Sequence, residues 1–125
     1  MSNERKSLMA AAGAVGGGDD PNVADVFSTD LHVGNSTSQT ITNGIDLSGE
    51  GGMVWIKSRS NSHSHVLTDT ERGALETLKS NSDEAEATLS GSVTSFNSNG
   101  FSLGSEASVN YSSRTYASWT FRNSK

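Results

Sequence analysis

Few side chains in this 125-residue chain stand where they could do chemistry. His63 and His65 form an H-x-H pair inside the serine-rich run SRSNSHSH. On a strand, residues i and i+2 face one side, so both imidazoles could share a metal ion. His32 or Asp69 would have to supply a third ligand, and neither has supporting spacing. The simpler reading is two solvated histidines. Asp69, Glu71 and Arg72 lie together in DTERG. Paired carboxylates there could do acid–base work on a glycoside. The structural alternative is favoured: Arg72 pairs with Asp69 or Glu71 and fixes a turn, with Gly73 at a backbone angle other residues avoid. Asp83, Glu84 and Glu86 read as a solvated acidic patch rather than a calcium site.

Nucleophilic catalysis has little support. No G-x-S-x-G elbow occurs, and 23 serines make any Ser–His coincidence uninformative. Gly16 to Gly18 lacks the Lys-Ser/Thr that follows a phosphate loop. The chain therefore reads as a non-enzyme without a cofactor. Among the aromatics, Trp55 and Trp119 are expected in the core. Tyr111, in the polar stretch VNYSS, is the better surface candidate for stacking on a glycan.

Composition narrows the classes further. Leu, Ile, Val and Phe total 23 residues, below the roughly 20% usual for a well-cored protein. Only 18% of residues are charged, so the disordered class does not fit either. Ser, Thr, Asn and Gly together number 57, a composition suited to short strands joined by many turns. A pI near 5.0 argues against a nucleic-acid binder held by phosphate contacts. No run of about 18 apolar residues is present to cross a membrane as a helix. The absence of Cys removes disulfides, thiolate nucleophiles and Cys-based zinc sites. So thin a core points to support from partner copies.

The elements that must carry these residues fall into two parts. Residues 1–22 form an N-terminal docking arm, extended or briefly helical. Its stretch LMAAAGAV favours two to three helical turns ended by Gly16–Gly18. Leu8, Met9 and Val15 are its candidate assembly contacts. It matches a signal peptide poorly, because Glu4 interrupts the basic start. Residues 23–125 form the β domain. Candidate strands are 26–27, 31–33, 39–41, 53–57, 65–68, 93–96, 101–103 and 116–122. Asn97 to Gly100 signals a hairpin, with Asn-Gly supplying positive φ. Residues 70–80 are read as a short helix or a loop. In the last strand Ala117, Trp119 and Phe121 are expected to face the core, and Tyr116, Ser118, Thr120 and Arg122 the solvent. The fold class is all-β: short antiparallel strands in a small sandwich or partial jelly roll.

Four blocks carry a family resemblance: LSGEGGMVWIKSRS (47–60), DTERG (69–73), TSFNSNGFSLG (94–104) and YASWTFR (116–122). Together they resemble a GGxVWIKxR…DTxRG…SFNSDGFSLG…YxxWTFR domain of marine and cyanobacterial phage virion proteins, usually found within larger tail or tail-fibre proteins. The opening ERKSLMAAAGA and the segment VFSTDLHVGNSTSQTITNGIDL are similar as well. The resemblance implies a concanavalin-like sandwich. Longer relatives continue past the strand like 116–122, whereas this chain ends at Lys125, which implies a reduced sheet finished by a neighbour. It also implies a tailed-phage virion component, homo-oligomeric, attached through its arm to the tail or its fibres and to other virion proteins. A capsid decoration protein and a lectin-like module for host surface glycans are the alternatives. No catalytic residues are implied, and neither nucleic acid nor membrane is an expected partner.

Overall fold

The computed structural model describes residues 22–123. Short apolar runs punctuated by Gly, Asn and Ser give nine strands among these residues. They are β1 (Phe27–Val33), β2 (Gln39–Thr42), β3 (Gly52–Ser58), β4 (Val66–Asp69), β5 (Glu76–Lys79), β6 (Ala87–Thr88), β7 (Val93–Asn97), β8 (Gly100–Leu103) and β9 (Thr115–Arg122). Three single-turn helices mark corners: α1 (Val23–Val26), α2 (Leu47–Glu50) and α3 (Ala107–Asn110). The strands form a six-stranded sheet, ordered β1-β9-β3-β4-β5-β6, and a three-stranded sheet, ordered β2-β8-β7. All pairings are antiparallel. The chain is an all-β sandwich.

β3 shows why the sheets stack. Its β-branched Val54 and Ile56 are fully buried, while the alternating Met53, Trp55 and Lys57 are not. Val66 and Tyr116 join them from the large sheet. Ile41, Val93, Phe101 and Leu103 meet them from the small sheet, with Ile45, Leu47 and Val109 closing the ends. Asp46 caps α2 by accepting from the Gly49 N–H at 2.8 Å.

Several expectations need correction. In β9 the buried residues are Tyr116, Ser118 and Thr120, whereas Trp119 is half-buried and Phe121 is 38% exposed. Small polar residues share the core side of the large sheet with Val54, Ile56, Val66 and Tyr116: Ser58, Thr68, Thr77, Ser118 and Thr120 are all buried. Trp55 and Trp119 therefore lie on the outer face and not in the core. Residues 70–80 form no helix. Asp69 ties back a turn, Gly73 (φ 103°) and Leu75 (φ 73°) take left-handed backbone, and Leu78 then pairs with Leu67 as part of β5. The 97–100 hairpin is present, but Gly100 (φ 152°) serves a close approach: a Cβ there would collide with the Ile41 carbonyl of β2. Val26 ends α1 and does not begin a strand.

Candidate interaction face

β9 places the site, because it lies between β1 and β3 over its full length. Register aligns side chains in rows across the outer face. One row runs Phe27, Phe121, Met53 and Asp69. The next runs Thr29, Trp119, Trp55, Leu67 and Leu78. A third holds Leu31, Ala117 and Lys57. Four of the eight aromatic residues in the chain thus share this one surface. The Trp55 and Trp119 ring centroids are 5.1 Å apart and the Phe27 and Phe121 centroids 4.9 Å, each pair tilted by 43°. Tilted contacts of this kind suit apolar packing. Exposure rises towards β1, reaching 64% at Leu31 and 58% at Val33.

The charges on this face lie at its margins, where Glu76 accepts from the Thr88 hydroxyl at 2.9 Å. Asp69 is held by Arg72, and the Lys57 ammonium donates to the Ser58 carbonyl at 3.1 Å. Scattered exposed apolar residues need no explanation, but a contiguous aromatic and aliphatic surface marks an interaction site. Burying it would contribute roughly 25 cal/mol per Å². The thin inner core follows from the same arrangement, since Trp55, Trp119, Phe27 and Phe121 lie outside while Ser58, Thr68, Ser118 and Thr120 take inner positions beside Val54, Ile56, Val66 and Tyr116. Sequence reasoning missed the face, although a signal was there. β1 alternates Phe27, Thr29, Leu31 and Val33 with Ser28, Asp30 and His32, and β9 alternates in register with it.

The structure scatters the sequence-derived candidates. The Arg114 guanidinium donates to His63 Nε2 at 2.6 Å, while the His65 backbone N–H donates to Asn81 Oδ1. Both histidines precede β4 and lie off the strand. His32 is buried elsewhere, stacked on Tyr116 with centroids 5.1 Å apart. Its Nε2 lies 2.9 Å from the Val109 carbonyl. Burial holds its imidazole pKa below 6.5, opposed by that hydrogen bond and by Asp30. Among the described residues no group of three His, Asp or Glu is placed to hold a metal. In DTERG, Arg72 pairs with Asp69 at 3.2 Å and reaches across to Glu86 at 2.7 Å, and Gly73 is left-handed. The acidic patch is thus divided, because Glu84 meets Lys79 at 2.7 Å. Tyr111 is 45% exposed, with the Arg114 guanidinium 4.3 Å from its ring centroid. Leu8, Met9 and Val15 lie outside the described residues. A groove of about 510 Å³, open to solvent, runs beside α2, lined by Ser48, Glu50, Thr70, Glu71, Phe96 and Asn123 among others.

The fold and this surface define an antiparallel β sandwich with one apolar outer sheet. Residues 22–125 match the family model described as a domain of unknown function, DUF7483, and the chain belongs to that family. No curated protein and no solved structure matches it.

Proposed function

We propose that the chain is a non-catalytic structural subunit of a tailed-phage virion, homo-oligomeric and attached to the tail or its fibres through residues 1–22. The observation that carries this reading is the apolar outer face of the six-stranded sheet. A protein that places Trp55, Trp119, Phe27 and Phe121 outside its core can bury further apolar surface by association. Many weak contacts repeated along a particle then add up to firm attachment. The motif resemblance supplies the kind of particle. Mass spectrometry of purified virions, with gold-labelled antibody against this chain, tests the reading. Label on tails is the expected result. Label on heads alone turns the subunit into a capsid decoration protein, and absence from particles contradicts both.

A second reading rests on Tyr111, whose exposure suits stacking on a host glycan. One ring face carries the Arg114 guanidinium and leaves the other for a sugar. Saturable binding of host polysaccharide that is lost in Tyr111→Ala, with the fold intact, would establish it. The tilted tryptophans of the outer face do not form one flat sugar platform, so they favour a protein partner.

A further inference from the structure

Residues 51–68 and 107–125 contain no Asp or Glu, although the chain carries a net charge of −5. The β3–β9 register lays these two stretches side by side. Where β3 ends, the Arg59 N–H donates to the Thr115 carbonyl at 2.7 Å, and the Ser60 hydroxyl accepts from the Thr115 N–H at 3.1 Å. The run SRSNSHSH, which holds no metal, is thereby set against the start of β9 and the loop that carries Tyr111 and Arg114.

Arg114 is the fixed point of this corner. It lies over the Tyr111 ring and donates to His63 Nε2. A guanidinium has only donors, so that Nε2 is the acceptor and carries no proton. Both groups that hold Arg114 are therefore uncharged. Among the described residues no carboxylate pairs with Arg114 or with the exposed Arg59, whereas Arg72 and Lys79 are both met by carboxylates. The loop itself is pinned. The Tyr111 N–H donates to the Tyr116 hydroxyl at 2.8 Å, and the Ser112 N–H to the Ser36 hydroxyl at 2.7 Å. Ser36 (φ 58°) and Ser113 (φ 70°) hold left-handed backbone, which persists only where the surroundings impose it. Groups fixed in this way lose little freedom when a ligand arrives.

From a fixed, uncompensated guanidinium beside an exposed aromatic ring, we infer that this corner binds an acidic polysaccharide. The free face of Tyr111 stacks on one sugar, and Arg114 and Arg59 take the carboxylate or phosphate of that sugar or the next. The planar guanidinium fork suits either oxyanion. A single-stranded nucleic acid carries a charge at every nucleotide and calls for a long positive track, which a chain of this net charge does not supply. A polysaccharide with spaced charges needs only a local cradle. The inference rests on the glycan reading at Tyr111 and adds the charge of the ligand and the residues that meet it.

Titration calorimetry of the full-length chain tests this with three polymers. Polygalacturonate carries carboxylates, a ribitol teichoic acid carries phosphates, and carboxyl-reduced polygalacturonate is the uncharged counterpart of the first. Saturable binding to at least one acidic polymer is expected, weakened by salt, and the tighter of the two names the oxyanion. Affinity should fall about tenfold or more for the reduced polymer, and likewise in Arg114→Gln and in Arg59→Gln at unchanged circular dichroism. Arg72→Gln, whose charge is already met by Asp69 and Glu86, should bind as the parent does. Failure to bind either acidic polymer, equal affinity for the charged and reduced forms, or indifference to both arginine changes overturns the inference. Polyglutamate or oligo-dT bound as tightly as the acidic polysaccharide also overturns it, by making the corner a protein or a nucleic-acid contact. Binding of the reduced polymer that is lost in Tyr111→Ala but kept in Arg114→Gln would sink the charge assignment and leave the glycan reading standing. Acidic-polymer binding that survives Tyr111→Ala but not Arg114→Gln would keep the anion cradle and remove the stacked sugar.

Discussion

Asn110 does more to hold the sandwich together than any residue the sequence draws attention to. It is fully buried in α3. Its amide nitrogen reaches Asn35 Oδ1 at 3.0 Å and the carbonyls of Thr37 and Gly104 at 2.6 and 2.8 Å. Its oxygen accepts from the Asn35 N–H and the Gln39 side chain. One side chain thereby ties the β1–β2 crossover to the loop after β8. Asn110→Ala leaves those partners without it and is expected to cost about 2–3 kcal/mol, read as a lower urea midpoint at unchanged slope. Nothing in the sequence distinguishes it from nine other asparagines, because its role depends on contacts more than seventy positions away. The Arg72–Asp69 pair was legible from its three-residue spacing, whereas the Glu86 partner comes from a different loop. His32 offers a second test. Its folded pKa lies below 6.5, so the unfolded chain binds the proton more readily. Stability from this site is complete above 6.5 and falls as pH drops towards the lowered folded value. Thermal melts from pH 7 to about 5.5, above the carboxylate range, should decline in the parent and flatten in His32→Gln. Equal slopes would exclude His32 as the cause.

At the scale of strands, alternation was readable but its direction was not. Met53–Lys57 and Tyr116–Arg122 announce themselves through β-branched and aromatic residues. The pattern of β9 was read with the aromatics inward, since apolar faces usually seek the core. β9 reverses that rule: its inner positions past Tyr116 are Ser118 and Thr120, while β3 and β4 keep Val54, Ile56 and Val66 inside. Thr120 shows one compensation: its hydroxyl accepts from the Asn43 side-chain amide at 2.9 Å. Thr68 and Ser118 show the cost, each with a buried hydroxyl that has no partner. Thr68→Val keeps the shape and removes the unpaired group, so it should stabilise the domain by about 1 kcal/mol in urea unfolding. A loss of similar size would mean that the hydroxyl is satisfied. For residues 70–80 only the helix alternative fails, and for a different reason. Leu75 and Leu78 stand three apart, as on a helix, but Gly73 and the Asp69 turn break the chain between β4 and β5.

For the whole molecule, the outer face of the six-stranded sheet is the surface on which the proposed assembly depends. A chain with 23 large aliphatic and Phe residues cannot both fill a sandwich and cover its outside. The aromatic side chains of Trp55, Trp119, Phe27 and Phe121 lie on the outside. The only two tryptophans of the chain, Trp55 and Trp119, sit side by side on that face, so their fluorescence reports on it directly. The decisive measurement compares tryptophan emission and acrylamide quenching in dilute protein and in the assembled state. Association should shift the emission to shorter wavelength and suppress quenching. Assembly that leaves both signals unchanged would mean that the face stays wet and that copies meet elsewhere.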